Sequence, residues 1–274
     1  MAAPVESLLY PVDEDRGRAR FSRTRPAREV MLPQMNGPNG RELEYCLVRD
    51  GSAWQQVRFR NDARIWMWPG VYDHLVRDLL RGNAPAAMCR ILEQVVDARG
   101  GSARSLRVLH LGAGNGWFGE ELRGAGVDTV FGVDPCAEAA RSATRDRRGI
   151  FESYLVMDMR RLSESQREQF MHLDFNCLAC VEPLSSHEPS PNAFVEAFNL
   201  LAPSGWVAYH VHERALEASS PSRFVRMATR MERCGAIEIL AAERFRQRFT
   251  TNGQPAFHTA FVARKLRDFD PTDI

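Results

Sequence analysis

One stretch limits what this chain can become: Arg107-Val-Leu-His-Leu-Gly-Ala-Gly-Asn-Gly-Trp-Phe-Gly119. A short apolar run rich in Val and Leu passes without a linker into glycines at 112, 114 and 116, the pattern of a buried parallel strand turning sharply into a helix. Glycine is needed there because a missing Cβ allows positive φ and lets a ligand approach the backbone. The first amides of the following helix are expected to point outward, so the turn is where a ligand would sit.

Spacing separates the ligands that use such a turn. The dinucleotide fingerprint Gly-x-Gly-x-x-Gly would put its third glycine at position 117, which is Trp117. The observed Gly112-x-Gly114-x-Gly116 instead resembles motif I of the class I S-adenosylmethionine-dependent methyltransferases, whose loop cradles the amino-acid end of the cofactor. Two more strand ends agree with that resemblance: Val130-Phe-Gly-Val-Asp134, ending in an acid suited to ribose hydroxyls, and Tyr154-Leu-Val-Met-Asp158-Met159. The resemblance therefore implies S-adenosylmethionine as cofactor and S-adenosylhomocysteine as product. It implies that Gly112, Ala113, Gly114 and Gly116 hold the methionine portion, Asp134 and Pro135 the ribose, and Asp158 and Met159 the adenine.

Strand and helix alternate after this turn, which forces a parallel sheet. Helices are expected over Trp117 to Arg123, Cys136 to Arg147, Ser163 to His172, Pro191 to Leu201 and Pro221 to Cys234. Ser163 with Gln166 fits a capping box, Ser190-Pro191 and Ser220-Pro221 fit a cap followed by a first-turn proline, and Gly235 suits a stop. Strands fall near Val130, Tyr154, Asn176 and Val207, and the stretch from Ile237 to Lys265 reads as a closing hairpin in two parts, broken between Leu240 and Arg244. The expected fold is α/β, a doubly wound, mostly parallel seven-stranded sheet whose last strand is antiparallel. It divides into an N-terminal part (1–104), a cofactor-binding domain (105–265) and a tail (266–274).

The N-terminal part is a separate problem. Residues 1 to about 40 read as an arm with six arginines between Arg16 and Arg28, and Met35 to Gly40 is dense in turn formers. Glu42 to Arg60 predicts a β-hairpin turning at Asp50-Gly51, which needs the core or a partner subunit to lie on and leaves a homodimer open. From Pro69 a helix of about three turns is expected. Tyr72, with Trp66 and Trp68, resembles the N-terminal lid of small-molecule methyltransferases. A second helix spans Pro85 to Asp97.

Composition excludes little but usefully. A net charge of +1 gives no general attraction to nucleic acid or an anionic membrane, and no stretch approaches the length of an apolar membrane span. The start carries no signal pattern, so cytoplasm is the expected compartment. Cys177 and Cys180, an odd number apart on one strand, face opposite ways and should not share a metal; none is expected. His110 reads as packed, and Cys136 as a small packing residue that could have a lowered thiol pKa at its helix start.

Methyl transfer from a sulfonium expels a neutral thioether, so alignment supplies most of the acceleration and a base is needed only if the acceptor must lose a proton. Candidate acceptor-side groups are Glu182, His187 and His212, with Tyr72 from the lid; Glu213 is a further base candidate. Val181-Glu182-Pro183-Leu184 holds the place, but not the residues, of the tetrapeptide of amino-methylating enzymes. His210 reads as structural. Arg244, Arg246 and Arg248 either bind an acceptor anion or line solvent. The expected acceptor is a small molecule; other readings are an RNA or protein methyltransferase, cyclisation chemistry, a non-catalytic cofactor-binding partner and, least compatible with Trp117, a nicotinamide dehydrogenase.

Overall fold

The computed structural model describes residues 26–33, 44–59, 63–181, 190–217, 222–270 and 272. Its centre is a seven-stranded sheet of β4 (Arg107–Leu111), β5 (Thr129–Asp134), β6 (Ser153–Val156), β7 (Cys177–Cys180), β8 (Trp206–His212), β9 (Ile237–Phe249) and β10 (Pro255–Lys265), in the order β6-β5-β4-β7-β8-β10-β9. The first five are parallel, while β10 runs antiparallel to both β8 and β9. The order reverses beside β4. Sheets of this kind bind ligands at such a reversal, outside the carboxyl ends of the strands, which here are those of β4 and β7.

Alternating side chains feed two core layers. Val108, Cys177, Ala208 and Val262 pack with α2 (Ala84–Ala98), while Leu109, Leu178, Cys180 and Val207 pack on the other face with α6 (Pro191–Asn199) and α7 (Arg223–Arg233). Cys177 and Cys180 thus lie in different layers, as their spacing requires. The remaining helices are α3 (Trp117–Gly124), α4 (Ala137–Asp146) and α5 (Glu164–Met171). Ser163 and Gln166 form the reciprocal capping box.

The cap of α7 is a correction: Ser222, not Ser220, accepts the amide of Val225 at 2.8 Å, and Ser220-Pro221 lies outside the described residues. The expected break between Leu240 and Arg244 is also absent. Strand β9 is continuous and absorbs its irregularities as register shifts against β10.

Lys265, the single lysine of the sequence, is buried. Its ammonium donates to the carbonyls of Phe198, Asn199 and Leu201 at 3.0, 3.3 and 2.8 Å, closing the carboxyl end of α6.

In the N-terminal part β2 (Tyr45–Asp50) and β3 (Ala53–Arg58) form the hairpin, turning one residue later than expected: Asp50 pairs with Ala53, and Gly51 carries the positive φ of 63°. A short β1 (Val30–Met31) adds a third strand. The expected three-turn helix is a turn of α1 (Val71–Asp73) that widens into π-helical winding over His74–Leu79. Glu44 and Arg248, both buried, pair at 2.5 and 3.1 Å and fix the hairpin to the end of β9. Arg244 and Arg246 take other partners, so the three arginines share no anion site: Arg244 binds Glu213 and stacks on Phe257, and Arg246 lies over Phe249. The arm up to Arg25 and residues 34–43 lie outside the described residues. Among those described, no helix is long and apolar enough to cross a membrane.

Candidate active site

The turn after β4 is scaffolded by the end of β5. Gly112, Gly114 and Gly116 have φ of 71°, 54° and 84°, in the left-handed region. The amides of Gly112 and Ala113 both donate to Val133 O, at 2.8 and 3.1 Å, and Gly116 N donates to Ala113 O at 2.9 Å. Gly114 N donates to Asp134 Oδ2 at 3.1 Å, and Cys136 N donates to Oδ1 at 2.8 Å. These turn amides are therefore spent on shaping the turn, which leaves the first amides of α3 (from Trp117) as the ones expected to face a ligand.

Burial pushes the Asp134 carboxyl above its ordinary value, against the opposing pull of the Cys136 and Gly114 amides. Each of its oxygens still has a second lone pair for a hydroxyl donor. Tyr154 OH donates to Gly114 O at 2.7 Å, a tether not read from the sequence.

Asp158 follows β6 and caps a 3₁₀ turn through the amide of Arg160. The Arg160 guanidinium lies along its carboxylate, at 2.9 Å from Oδ1 and 2.6 Å from Oδ2, and holds its pKa below the usual range. Met159 turns its side chain into the second core layer. Pro135 is exposed beside Asp134. The Cys136 thiol is pushed up by burial, not down by its place at the start of α4.

Above the turn lies the segment expected to act as a lid. Trp66 packs on Gly114, close enough that a Cβ there would sit 3.4 Å from the indole ring. Tyr72 is buried and lies against Trp66, with ring centroids 4.1 Å apart. Three residues not read as functional meet there: Asp73, Asn115 and Arg147. Asn115 was legible as the one long polar side chain within the glycine run. Burial alone would push the Arg147 guanidinium down, but the carboxylates of Asp73 and Glu120 hold it above its ordinary value.

On the acceptor side, Glu182 and His187 lie outside the described residues. His212 ends β8, where its Nδ1 accepts the amide of Arg214 at 3.1 Å. A backbone amide can only donate, so the neutral ring carries its proton on Nε2. Glu213 is held by Arg244, which keeps its carboxyl below the ordinary value and makes it a poor base. His210 is buried, as expected, and meets His258 of β10 Nδ1 to Nδ1 at 2.8 Å, so one ring donates and the other accepts. Nothing in the sequence near His258 announced that pairing. Among the described residues no cluster of His, Cys, Asp or Glu could hold a metal ion.

The arrangement fits a nucleoside cofactor with an amino-acid tail: a turn with glycine at three of its five positions, a desolvated carboxylate with lone pairs to spare, and a second acid one strand further on. Comparison with known proteins agrees. A family model described as a methyltransferase domain matches residues 80–254. A ubiquinone biosynthesis O-methyltransferase from Bordetella avium (strain 197N) is 31% identical over 117 residues, which cover 42% of this chain and 46% of that protein. The chain thus spans a little under half the length of that curated relative.

Similar solved structures include magnesium protoporphyrin IX methyltransferase from Synechocystis PCC 6803 with bound S-adenosylmethionine (TM-score 0.47, 14% identity, 66% of this chain and 79% of that one). A second is the N-methyltransferase NodS from Bradyrhizobium japonicum WM9 with S-adenosyl-L-homocysteine (0.46, 16%, 66% and 86%). A third is a putative RNA methyltransferase from Pyrococcus horikoshii (0.49, 13%, 76% and 90%).

Proposed function

Because the methyltransferase-domain model matches well over half of its length, the chain belongs to the class I S-adenosylmethionine-dependent methyltransferases, and we propose that it methylates a hydroxyl oxygen of a small molecule. The observation that carries the acceptor's size is the seat of Trp66 on Gly114. A site roofed by its own chain admits a compact acceptor more readily than a folded RNA or protein. The choice of oxygen rests on the partial relative, whose name makes it an O-methyltransferase.

Bound at this site, S-adenosylmethionine supplies an electrophilic methyl carbon whose bond to sulfur breaks to leave a neutral thioether. What the chain contributes is binding, orientation and control of protons. Gly112, Gly114 and Gly116, with the small Ala113 between the first two, would let the methionine portion approach the backbone closely. Asp134 accepts from ribose hydroxyls, with Pro135 beside it, and Asp158 and the Met159 backbone face the adenine. Trp66 and Tyr72 exclude water, which raises the value of each electrostatic contact inside. His212 presents Nε2–H, so in our reading it donates a hydrogen bond to the acceptor oxygen and orients it. Removal of the hydroxyl proton then falls to Glu182 or His187, which follow β7 in the sequence.

The test is release of S-adenosylhomocysteine from methyl-labelled S-adenosylmethionine with three panels: phenols and other small alcohols, small amines, and total RNA. Label in the hydroxyl panel alone is expected. Label in RNA alone, or conversion of the cofactor with no methylated product, would overturn the proposal.

A further inference from the structure

The glycine turn is held from two directions. Val133, Asp134 and Tyr154 fasten it from the sheet. A further tether comes from above: Asn115 Nδ2 donates to Asp73 Oδ1 at 2.9 Å, and Asp73 belongs to the segment that carries Trp66 and Tyr72. The other oxygen of Asp73 accepts Arg147 Nη2 at 2.8 Å.

Arg147, whose side chain is 2% exposed, donates in turn to Glu120 of α3 at 2.8 Å and to Asn115 O at 3.4 Å. Glu120 also receives Arg77 Nη2 at 2.6 Å, from the π-helical winding next to Asp73, and the Arg77 guanidinium lies over Trp117 at 4.2 Å. Two carboxylates and two guanidiniums thus balance in charge across the joint between the cover and the turn. Asn115 is the amide that carries the joint into the glycine run. Charged hydrogen bonds away from water are the strong kind, and losing one member leaves the others poorly satisfied.

The placement has a consequence for binding. Gly114 and Gly116 flank Asn115, so a shift of Asn115 moves the backbone that receives the cofactor. Arg145 adds a second clasp, donating to the carbonyls of Met67 and Trp66 at 3.0 and 3.2 Å, but it reaches only the cover and not the turn. Asp73 reaches both.

We propose that Asp73 is a positioning residue for the cofactor turn, acting through Asn115, so that docking of residues 63–79 and affinity for the cofactor are one coupled equilibrium. The inference rests on the cofactor reading above, and S-adenosylhomocysteine is the probe. In the full-length protein, calorimetry is expected to show D73N weakening S-adenosylhomocysteine binding by about tenfold or more, the scale of one charge-assisted hydrogen bond. In the parent, the ligand should slow amide hydrogen exchange over 63–79, and D73N should lose that response.

N115D sets carboxylate against carboxylate and should weaken binding similarly. The double variant D73N/N115D restores an amide–carboxylate pair with its ends exchanged and should recover most of the affinity. A merely structural Asp73 would lower the melting temperature yet leave affinity well below it, and the exchange response, unchanged. That result, or strictly additive losses in the double variant, overturns the inference. Should D73N fail to fold, N115A keeps the Asp73–Arg147 pair and must show the same loss of affinity. A parent that binds no S-adenosylhomocysteine overturns the cofactor reading itself, and this inference with it.

Discussion

Gly114 gives its amide hydrogen to the Asp134 carboxylate across 3.1 Å, so the turn after one strand is clasped by the acid that ends the next. The group expected to recognise ribose therefore also shapes the loop that receives the methionine portion. Asp134→Ala removes both contributions. It should weaken S-adenosylhomocysteine binding by about 1.5–3 kcal/mol, which calorimetry on the parent and variant can read directly. Equal affinities would show that the carboxylate neither meets the ribose nor sets the turn for the cofactor.

The same carboxylate makes affinity and stability depend on pH with opposite signs. Its folded pKa is raised above 3.8 by burial, so it takes up a proton at a higher pH than an exposed aspartate does. A protonated carboxyl is a poorer acceptor for ribose hydroxyls, so affinity should fall as pH drops through that raised value. Stability moves the other way: this group's contribution is present below the unfolded pKa and lost as pH rises through the folded one. Binding titrations between pH 7 and 4 on the parent and on Asp134→Ala should differ in slope; parallel curves would contradict the assignment.

Gly114 suits no β-branched side chain. Its φ of 54° is strained for such a residue, and a Cβ alone would already be in van der Waals contact with the Trp66 ring at 3.4 Å. Gly114→Val should abolish detectable S-adenosylhomocysteine binding while far-UV circular dichroism stays close to the parent's. Retained binding would show that the cofactor approaches the chain elsewhere.

Two buried histidines should make the fold sensitive to acid. His110, in β4, and His210, in β8, are each pushed down to about 4 by burial, from 6.5. Between those values the unfolded chain binds a proton that the folded one refuses, so stability is full above pH 6.5 and falls toward pH 4. The expected loss is roughly 3 kcal/mol for each ring. Urea unfolding at pH 7.5 and 4.5 measures the total, and His110→Met should remove about half of it. An unaltered pH dependence in that variant would mean that His110 takes up its proton without penalty.

The sheet and the glycine turn were legible because their signals are local. A strand leading into Gly112-x-Gly114-x-Gly116, a later strand ending in Asp134 and another that stops two residues before Asp158 are each decided within a few residues. What was not legible depends on partners far apart in the chain. His258 meets His210 only because β10 returns beside β8, and Glu44 meets Arg248 across most of the sequence. The Asp73 joint is of the same kind, since helical periodicity around Val71 says nothing about a carboxylate reaching a loop 42 residues on. The turn at Gly51 was missed by one residue because Asp-Gly and Gly-Ser pairs both suit a tight hairpin, and only the register against β3 chooses between them.

The burial of Lys265 against three carbonyls reaches beyond the helix end it closes. With the chain's only side-chain amine sealed inside, amine-seeking dyes and acylating reagents find no lysine on the surface. Among the described residues, the side chains that carry permanent positive charge at the surface are guanidiniums, which stay ionised far into alkali. Immobilisation or labelling through lysine should therefore fail, and migration in an electric field should change little across the range where lysine-rich proteins lose their charge.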